Sequence, residues 1–234
     1  MNPMMTEMLA PQTIADDIAQ RGYATRSLLD PAQCRAIAAL YADDPRFRKR
    51  IVMENHGYGK GEYKYFAYPL PNQIEALRTA LYEPLAEIAN AWKAALRDDS
   101  GIFPATHAEY LARCHAAGQN RPTPLLLRYE TGGFNCMHQD LYGDLVFPLQ
   151  VVILLSEPGV DFTGGEFVVV EQRPRAQSRA EVVPLAMGDA AIFPVHHRPA
   201  QGARGPYRLT MRHGVSRIRG GIRQTLGIIF HDAA

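Results

Sequence analysis

The stretch Phe134-Asn-Cys-Met-His-Gln-Asp-Leu-Tyr142 contains a histidine and an aspartate two positions apart, His138 and Asp140. In an extended segment, side chains two positions apart point to the same side of the backbone. An imidazole and a carboxylate on one side are two of the three ligands of a facial triad, which holds Fe(II) and leaves three coordination positions open. A His-x-Asp pair also occurs by chance, with the carboxylate only orienting the histidine. The rest of the chain must therefore supply a third ligand.

The composition is that of a globular protein. Its 234 residues suit one domain, and a chain of this length buries about 70% of its unfolded surface. The longest apolar runs, such as residues 151–155, are too short to cross a bilayer. Residues 1–10 have no basic segment ahead of an apolar one, so we expect no signal peptide and a cytoplasmic location. The three cysteines form no C-x-x-C pair, which argues against a disulfide framework and a structural zinc site.

Arginines are concentrated in the C-terminal part of the chain. Between residues 173 and 223 there are ten arginines and two acidic residues, Glu181 and Asp189, a formal charge of +8 (10 − 2). Such a segment could bind phosphates or an anionic co-substrate. Arginine outnumbers lysine 21 to 4 in the whole chain, so genome base composition is an alternative explanation.

The pattern of residues 1–120 predicts mainly helical support and a segment that faces the substrate. We expect helices over residues 13–20, from the Asp30-Pro31 N-cap to about Asp43, over 71–98 and over 105–116, with Pro84 breaking or kinking the third into two. The stretch 46–66 mixes cations, glycines and aromatic residues. It is either a surface for stacking and phosphate binding or an ordinary strand.

Short strands separated by glycine and proline turns are predicted after Pro124. They cover residues 125–129, 145–155, 166–171, 180–185, 190–195, 207–213 and 222–230. Seven or eight such strands after helices predict an α+β fold, in which a double-stranded β-helix (jelly-roll) core over residues 121–234 has an N-terminal helical layer. We expect residues 1–234 to form a single domain.

A third ligand should come from a late strand that faces the first pair. Four histidines follow Asp140: His196, His197, His213 and His231. The first two lie in a loop-like context, and His231 is so close to the C-terminus that we expect it to be loosely held. His213 closes a predicted strand and is followed ten residues later by Arg223 and then by Thr225.

From Tyr129 to Phe230 the sequence resembles the Fe(II)/2-oxoglutarate-dependent oxygenase superfamily. That family has a tyrosine, a His-x-Asp pair, a Gly-Gly-Glu turn, a distal histidine and a basic residue about ten positions later. This chain has, in the same order, Tyr129, His138-Gln-Asp140, Gly164-Gly-Glu166, His213 and Arg223. The resemblance implies a jelly-roll dioxygenase with Fe(II) as cofactor and 2-oxoglutarate and O2 as co-substrates.

The resemblance also implies a role for each matching residue. His138, Asp140 and His213 would bind Fe(II) and carry the catalysis, and the Gly-Gly-Glu turn would be structural. Arg223 would bind the distal carboxylate of 2-oxoglutarate with help from Thr225 and Tyr129, since a guanidinium fits a carboxylate through two parallel hydrogen bonds. Cys136, in phase with the pair, lies near the reacting carbon or is a small buried apolar residue.

Three functions stay open at this point. The ten-residue spacing from His213 to Arg223 resembles that of prolyl and other peptidyl hydroxylases. AlkB-like nucleic-acid dealkylases have an asparagine and a second arginine where this chain has Leu127 and Ile229. The Gly57–Phe66 segment and the Phe147-Pro-Leu-Gln150 run, however, resemble a bacterial group of oxygenases grouped with those acting on damaged nucleic acid.

We therefore rank oxidative demethylation of N-alkylated nucleobases in DNA or RNA first and peptidyl hydroxylation second. A non-catalytic metal-binding jelly-roll module ranks third. The partners expected are 2-oxoglutarate and either alkylated nucleic acid or a peptide, with no membrane. The oligomeric state stays open.

Overall fold

The computed structural model describes residues 9–234. The prediction that residues 1–10 contain no signal peptide therefore falls largely outside the described residues. Over the part of the chain that is described, none of the helices is both long enough and apolar enough to span a membrane.

Four α-helices of the described chain form the helical layer. They are α1 (Pro11–Arg21), α2 (Pro31–Ala39), α3 (Asn72–Leu96) and α4 (His107–Ala116). Asp30 caps α2 as predicted, because its side chain accepts a hydrogen bond from Gln33 N while Asp30 N donates one to the Gln33 side chain. Thr106 caps α4 by accepting a hydrogen bond from Glu109 N.

Helix α3 runs continuously through Pro84, so the prediction that this proline divides it was wrong. A proline inside a helix removes one backbone hydrogen bond and crowds the preceding turn. Leu81 and Leu85, on either side of the proline, are both buried in the main hydrophobic core. Packing along one continuous apolar face of α3 outweighs the free-energy cost of Pro84, because most helix stability in proteins comes from tertiary contacts.

Fourteen β-strands of residues 9–234 form two largely antiparallel sheets. The strands are β1 (Ala24–Ser27), β2 (Phe47–Val52), β3 (Gly59–Lys60), β4 (Glu62–Phe66), β5 (Leu125–Glu130), β6 (Phe134–His138), β7 (Leu149–Leu154), β8 (Phe162–Gly164), β9 (Phe167–Gln172), β10 (Arg179–Val183), β11 (Asp189–Pro194), β12 (His197–Gly202), β13 (Gly205–Val215) and β14 (Ile218–Ile228). Sheet one has the order β1-β11-β7-β14-β5-β4-β2, with β8 paired to β14. Sheet two has the order β10-β9-β13-β6-β3, with β12 paired to β13.

Sheet one is covered on both faces, and strand β7 shows how. Val151 and Ile153 belong to the core shared with the helices, whereas Val152 and Leu154 belong to the core shared with sheet two. Alternate side chains of a strand point to opposite faces, so one strand contributes to both cores. Two facing sheets with a helical layer on one side confirm the predicted α+β jelly-roll fold.

The N-terminal half supplies strands as well as helices. Strand β1 pairs with β11, β4 pairs with β5, and β3 pairs with β6. Within residues 46–66, strands β2 and β4 pair with each other, so the strand alternative for this stretch is confirmed. These strands extend both sheets beyond the strands predicted after Pro124.

The C-terminal residues are firmly held, and the expectation of a loose His231 was wrong. His231 is fully buried, and its Nδ1 accepts a hydrogen bond of 3.2 Å from Phe147 N. The neighbouring Asp232 forms a buried ion pair of 2.8 Å with Arg78 Nη2 on α3. Proximity to the chain end did not predict this, because the contacts come from residues far away in the sequence.

Candidate active site

Three predicted ligands lie together between the two sheets. His138 Nε2 is 3.5 Å from Asp140 Oδ1, and His213 Nε2 is 3.3 Å from Asp140 Oδ2. The centroids of the two imidazole rings are 4.2 Å apart. One ligand atom from each of the three residues lies within 4.8 Å of the others. Two imidazoles and one carboxylate so arranged could hold a divalent iron ion.

Adjacent strands of sheet two bring the two histidines together. His138 is the last residue of β6 and lies opposite His213 of β13 in the strand register. Asp140 lies two residues beyond the end of β6. The site therefore forms where β6 ends beside the C-terminal part of β13.

The charges in this group influence each other. Burial by itself would raise the pKa of Asp140, but the contacts with both histidines hold that pKa well below its usual range. Burial, and then the nearby His138, lower the pKa of His213. Burial opposes a charge on His138, yet the contact with Asp140 raises the pKa of this histidine. The ionised Asp140 and the neutral form of His213 are the protonation states in which these groups bind metals, whereas His138 binds a metal only after losing the proton that Asp140 stabilises.

The orientation of His138 is set by the backbone. Its Nδ1 lies 2.8 Å from the carbonyl oxygen of Cys136. A carbonyl can only accept, so Nδ1 carries a proton, and in the neutral ring Nε2 keeps its lone pair for a metal. His213 Nδ1 is buried and has no hydrogen-bond partner among residues 9–234.

Two further residues contact Asp140, and the sequence reasoning missed both. The Tyr142 hydroxyl donates a 2.8 Å hydrogen bond to Oδ1, and Gln150 Nε2 donates one of 2.8 Å to Oδ2. Tyr142 continues the alternation of His138 and Asp140, and Gln150 is a lone polar residue in an otherwise apolar strand. Both features are visible in the sequence, but neither indicates that the side chain bonds to Asp140.

A cavity of about 460 Å³ opens beside the three clustered residues. Predicted residues from both sheets line it, namely Tyr129, His138, Asp140, His213, Arg223 and Thr225. The residues predicted to bind the co-substrate converge because of the strand register, in which Arg223 of β14 lies opposite Tyr129 of β5 and Thr225 lies opposite Leu127. Cys136 also lines the cavity but is exposed, so the buried alternative for this cysteine was wrong.

Arg223 is a buried cation whose guanidinium carbon lies 5.9 and 5.8 Å from the ring centroids of Tyr129 and Phe162, while the charge of Glu166 acts on it from beyond ion-pair distance. It is 2% exposed, its Nε has no hydrogen-bond partner, and it takes part in no ion pair among residues 9–234. Burial lowers its pKa to about 10, so it remains charged at neutral pH. An unpaired buried charge is costly, and a carboxylate bound in the cavity would neutralise it. This orphaned cation fits the distal end of a dicarboxylate such as 2-oxoglutarate.

Arg198 shows the contrast with a paired buried arginine. It is 5% exposed, and its Nη2 lies 2.9 Å from Glu171 Oε2. Arg173 and Arg179 approach the same carboxylate at 3.4 and 3.3 Å. Eight of the ten arginines in the C-terminal segment are exposed, but part of their charge is thus neutralised within the protein.

The Gly-Gly-Glu turn packs directly against Arg223. A Cβ atom on Gly165 would lie 2.1 Å from Ile218 Cδ1 and 3.0 Å from Arg223 Cδ. The residue also has φ of 65°, a left-handed conformation that favours glycine. The turn therefore lets the backbone approach the arginine stem closely.

The other candidate histidines lie outside the cluster. His197 begins strand β12, so its predicted loop context was wrong, while His196 precedes that strand. The two rings contact each other with centroids 3.5 Å apart and planes tilted by 32°. Neither residue lines the cavity that contains His213.

A family model described as "Oxygenase, catalysing oxidative methylation of damaged DNA" matches residues 61–233, well over half of the chain. Two curated relatives from Mycobacterium tuberculosis, strains CDC 1551 / Oshkosh and ATCC 25618 / H37Rv, are each 52% identical over 192 residues. The alignment covers 80% of this chain and 82% of each relative, and both relatives carry the name "uncharacterized protein".

Solved structures of low sequence identity share the fold. A Pseudomonas putida prolyl-4-hydroxylase is 16% identical, with a TM-score of 0.59 over 94% of this chain and 96% of that chain. A Burkholderia pseudomallei oxidoreductase of the 2OG-Fe(II) oxygenase family is 17% identical, with a TM-score of 0.53 over 96% of this chain and 92% of that chain.

Proposed function

The chain belongs to the Oxygenase-NA family within the Fe(II)/2-oxoglutarate-dependent oxygenases, and from this premise we propose that it oxidatively removes methyl groups from N-alkylated nucleobases in DNA or RNA. The observation that carries the oxygenase part is the unpaired Arg223 in one cavity with His138, Asp140 and His213. An enzyme with Fe(II) and 2-oxoglutarate as cofactor and co-substrate needs both features at one place. Because the family is described as an oxygenase, the hypothesis of a non-catalytic metal-binding module has no support.

Each residue then has a defined task. His138, Asp140 and His213 hold Fe(II), and Arg223 forms an ion pair with the distal carboxylate of 2-oxoglutarate while Thr225 and Tyr129 donate hydrogen bonds to it. Bound Fe(II) supplies the oxidation of a C–H bond by O2, coupled to conversion of 2-oxoglutarate into succinate and CO2. Both sheets enclose this chemistry in a cavity, which limits access of water.

The products follow from atom balance. One oxygen atom of O2 enters the N-methyl group and the other enters succinate. The resulting N-hydroxymethyl group then releases formaldehyde, and the base regains its N–H. The protein need only present the methyl carbon to the metal.

The substrate assignment is supported by the printed family description, which names damaged DNA, and by the cavity mouth. Tyr58 lines the cavity, is 49% exposed and stacks on His56 with ring centroids 5.2 Å apart. Met137 and Leu141 beside it are also exposed, at 38% and 47%. A base taken out of its stack gains stabilisation from such an aromatic and apolar surface.

Peptidyl hydroxylation is the second candidate function. Its support is the ten-residue separation of His213 and Arg223, which resembles that of prolyl and other peptidyl hydroxylases. A peptide substrate would gain one oxygen atom and release no formaldehyde.

A product assay separates these candidates. The protein is incubated with Fe(II), 2-oxoglutarate, O2 and oligonucleotides that contain N-methylated bases, in single- and double-stranded form. We expect succinate, formaldehyde and restored bases in equal amounts, all absent with Asp140→Ala. Succinate formation without turnover of any methylated strand would contradict the substrate assignment, whereas hydroxylated proline peptides would favour the second candidate.

A further inference from the structure

Asp140 receives four contacts, and they fall into two kinds. Two come from the histidine nitrogens, His138 Nε2 at 3.5 Å and His213 Nε2 at 3.3 Å. When these nitrogens direct their lone pairs to a metal, they no longer donate to the carboxylate. The two contacts that persist are those from Tyr142 and Gln150.

Tyr142 and Gln150 each donate to a different oxygen of the carboxylate. The Tyr142 hydroxyl is 2.8 Å from Oδ1, and Gln150 Nε2 is 2.8 Å from Oδ2. Rotation of the carboxylate about its Cβ–Cγ bond would lengthen both hydrogen bonds, so together they define its plane. Both donors are uncharged, so neither offers the carboxylate a competing cation in place of the metal.

Each donor is itself held from outside the site. Gln150 belongs to β7, a central strand of sheet one between β11 and β14, whose six residues are all buried. The main chain of Tyr142 is held by Gln119, whose Nε2 donates to the carbonyl oxygens of Tyr142 at 3.3 Å and Leu145 at 3.1 Å. Gln119 Oε1 in turn accepts a hydrogen bond of 2.8 Å from Leu145 N.

Gly143 makes the clamp by Gln119 possible. A Cβ atom at this position would lie 2.5 Å from Gln119 Cδ, and the residue has φ of 82°. Any larger residue would separate the two segments and strain the backbone. The loop after Asp140 is thus built to hold the Tyr142 hydroxyl in place.

We propose that Tyr142 and Gln150 are positioning residues that fix the carboxylate of Asp140 and thereby set the metal affinity of the site. Donors that orient a metal ligand typically change metal affinity by roughly 10- to 100-fold when they are removed. The inference rests on the metal-binding part of the proposed function and is independent of the substrate. It assigns a task to two residues that the sequence motif does not contain.

Metal titration without turnover tests this directly. Wild type, Tyr142→Phe, Gln150→Leu and the double variant are titrated with Mn(II), which stands in for Fe(II), and free Mn(II) is measured by electron paramagnetic resonance. We expect each single variant to bind Mn(II) roughly 10- to 100-fold more weakly and the double variant more weakly still. At saturating Mn(II), the affinity for 2-oxoglutarate should match wild type, because Arg223 is untouched.

Tyr82→Phe is the matched control. Tyr82 is also buried, and its hydroxyl donates a 2.9 Å hydrogen bond to Pro104 O in the helical layer, so the same atom is removed far from the site. We expect Tyr82→Phe to bind Mn(II) like wild type. Near-ultraviolet circular dichroism checks that each variant is folded. If either Tyr142→Phe or Gln150→Leu fails to fold, the Mn(II) affinity of the other variant tests the inference.

Wild-type affinity in both single variants would overturn the inference. So would an equal loss in Tyr82→Phe, since that would point to general destabilisation. Failure of wild type itself to bind Mn(II) would instead contradict the proposed function, so the two failures are distinguishable.

Discussion

Arg223 and Asp140 carry opposite charges in the same cavity, and their surroundings differ. Asp140 has four hydrogen-bonding or ionic contacts within 3.5 Å, whereas Arg223 takes part in no ion pair within the described residues. A buried charge without a partner inside the protein indicates a partner that arrives with the ligand. At the residue scale, this asymmetry distinguishes the proposed metal end of the cavity from the proposed co-substrate end.

Replacement of Arg223 should therefore impair co-substrate binding. In Arg223→Ala we expect the affinity for 2-oxoglutarate in the presence of Mn(II) to fall by roughly 30-fold or more, about 2 kcal/mol, because a desolvated ion pair is lost. Arg223→Lys should recover part of this, since lysine keeps the charge without the two-pronged geometry. Isothermal calorimetry measures both. Arg208→Ala, which removes an exposed arginine, serves as the control, and an unchanged affinity in Arg223→Ala would refute the assignment.

The identity of the third ligand can be tested by paired histidine variants. His213→Ala should weaken Mn(II) binding by more than the roughly 100-fold that an outer-shell partner contributes, because it removes a direct ligand. His197→Ala should leave binding unchanged, because His197 lies on β12 outside the cavity. The measurement is a Mn(II) titration of both variants. Loss of binding in His197→Ala alone would show that the wrong histidine had been assigned.

At the scale of elements, helix α3 and the C-terminal segment are joined by a buried polar network. Arg78 Nη2 pairs with Asp232 Oδ1 at 2.8 Å, and Arg78 Nε donates a 2.9 Å hydrogen bond to Ile229 O. Asp232 Oδ2 also accepts a hydrogen bond of 2.8 Å from the Tyr68 hydroxyl. The network connects the helical layer to the end of β14, the strand that carries Arg223 and Thr225.

Breaking this ion pair should destabilise the fold. In Arg78→Leu, the buried Asp232 carboxylate loses its guanidinium partner and keeps only its contacts with Tyr68 and His115 among the side chains of residues 9–234, and we expect the free energy of unfolding to fall by about 3–5 kcal/mol. Urea denaturation followed by circular dichroism measures the change. Arg46→Ala, which removes an exposed pair with Asp43 at 2.6 Å, should cost less than about 1 kcal/mol. Similar losses in the two variants would contradict the argument.

At the scale of the whole molecule, the packing of helices on sheet one encloses two histidines. Burial lowers the pKa of His107 to about 4 and that of His231 to about 4. His107 is 3% exposed and its Nε2 lies 2.9 Å from Phe230 O, while His231 is fully buried. Both are neutral in the folded protein near pH 6, where a free histidine is already largely protonated.

Stability should consequently decline in acid. Below pH 6.5 the two histidines become protonated in the unfolded chain but stay neutral in the folded chain. They therefore lower the free energy of unfolding as the pH falls from 6.5 towards 4. Above pH 6.5 their contribution is constant. Since one pKa unit corresponds to roughly 1.4 kcal/mol, the total loss is on the order of a few kcal/mol. Urea denaturation at a series of pH values measures it.

His107→Gln should make this pH dependence shallower, because glutamine keeps a donor for Phe230 O but does not titrate. His56→Gln replaces an exposed histidine and should leave the slope as in wild type. If the free energy of unfolding changes with pH equally in His107→Gln and wild type, burial of this histidine does not cause the loss of stability in acid.

Patterns in the sequence were enough to predict the fold class and the residues that the structure brings together around the cavity. The strands separated by glycine and proline turns after Pro124 and the Asp30 cap are short-range features, whereas Tyr129, His138, Asp140, His213 and Arg223 were identified by their order along the chain, which resembles that of the oxygenase superfamily. Likewise, the position of His213 at the end of a predicted strand and its ten-residue separation from Arg223 can be recognised from the sequence alone.

The remaining features depend on contacts between residues that are distant in the chain. Pro84 stays helical because of the surface on which α3 packs, and His231 is rigid because Phe147 and the Arg78 network surround its segment. In the sequence, Gln150 is one polar residue in an apolar strand. Its hydrogen bond to Asp140 is seen only in the folded structure, where β7 lies beside the loop that contains Asp140. Sequence periodicity reports which face a residue occupies, whereas the partner on that face is chosen by strand order and register, which are properties of the assembled fold.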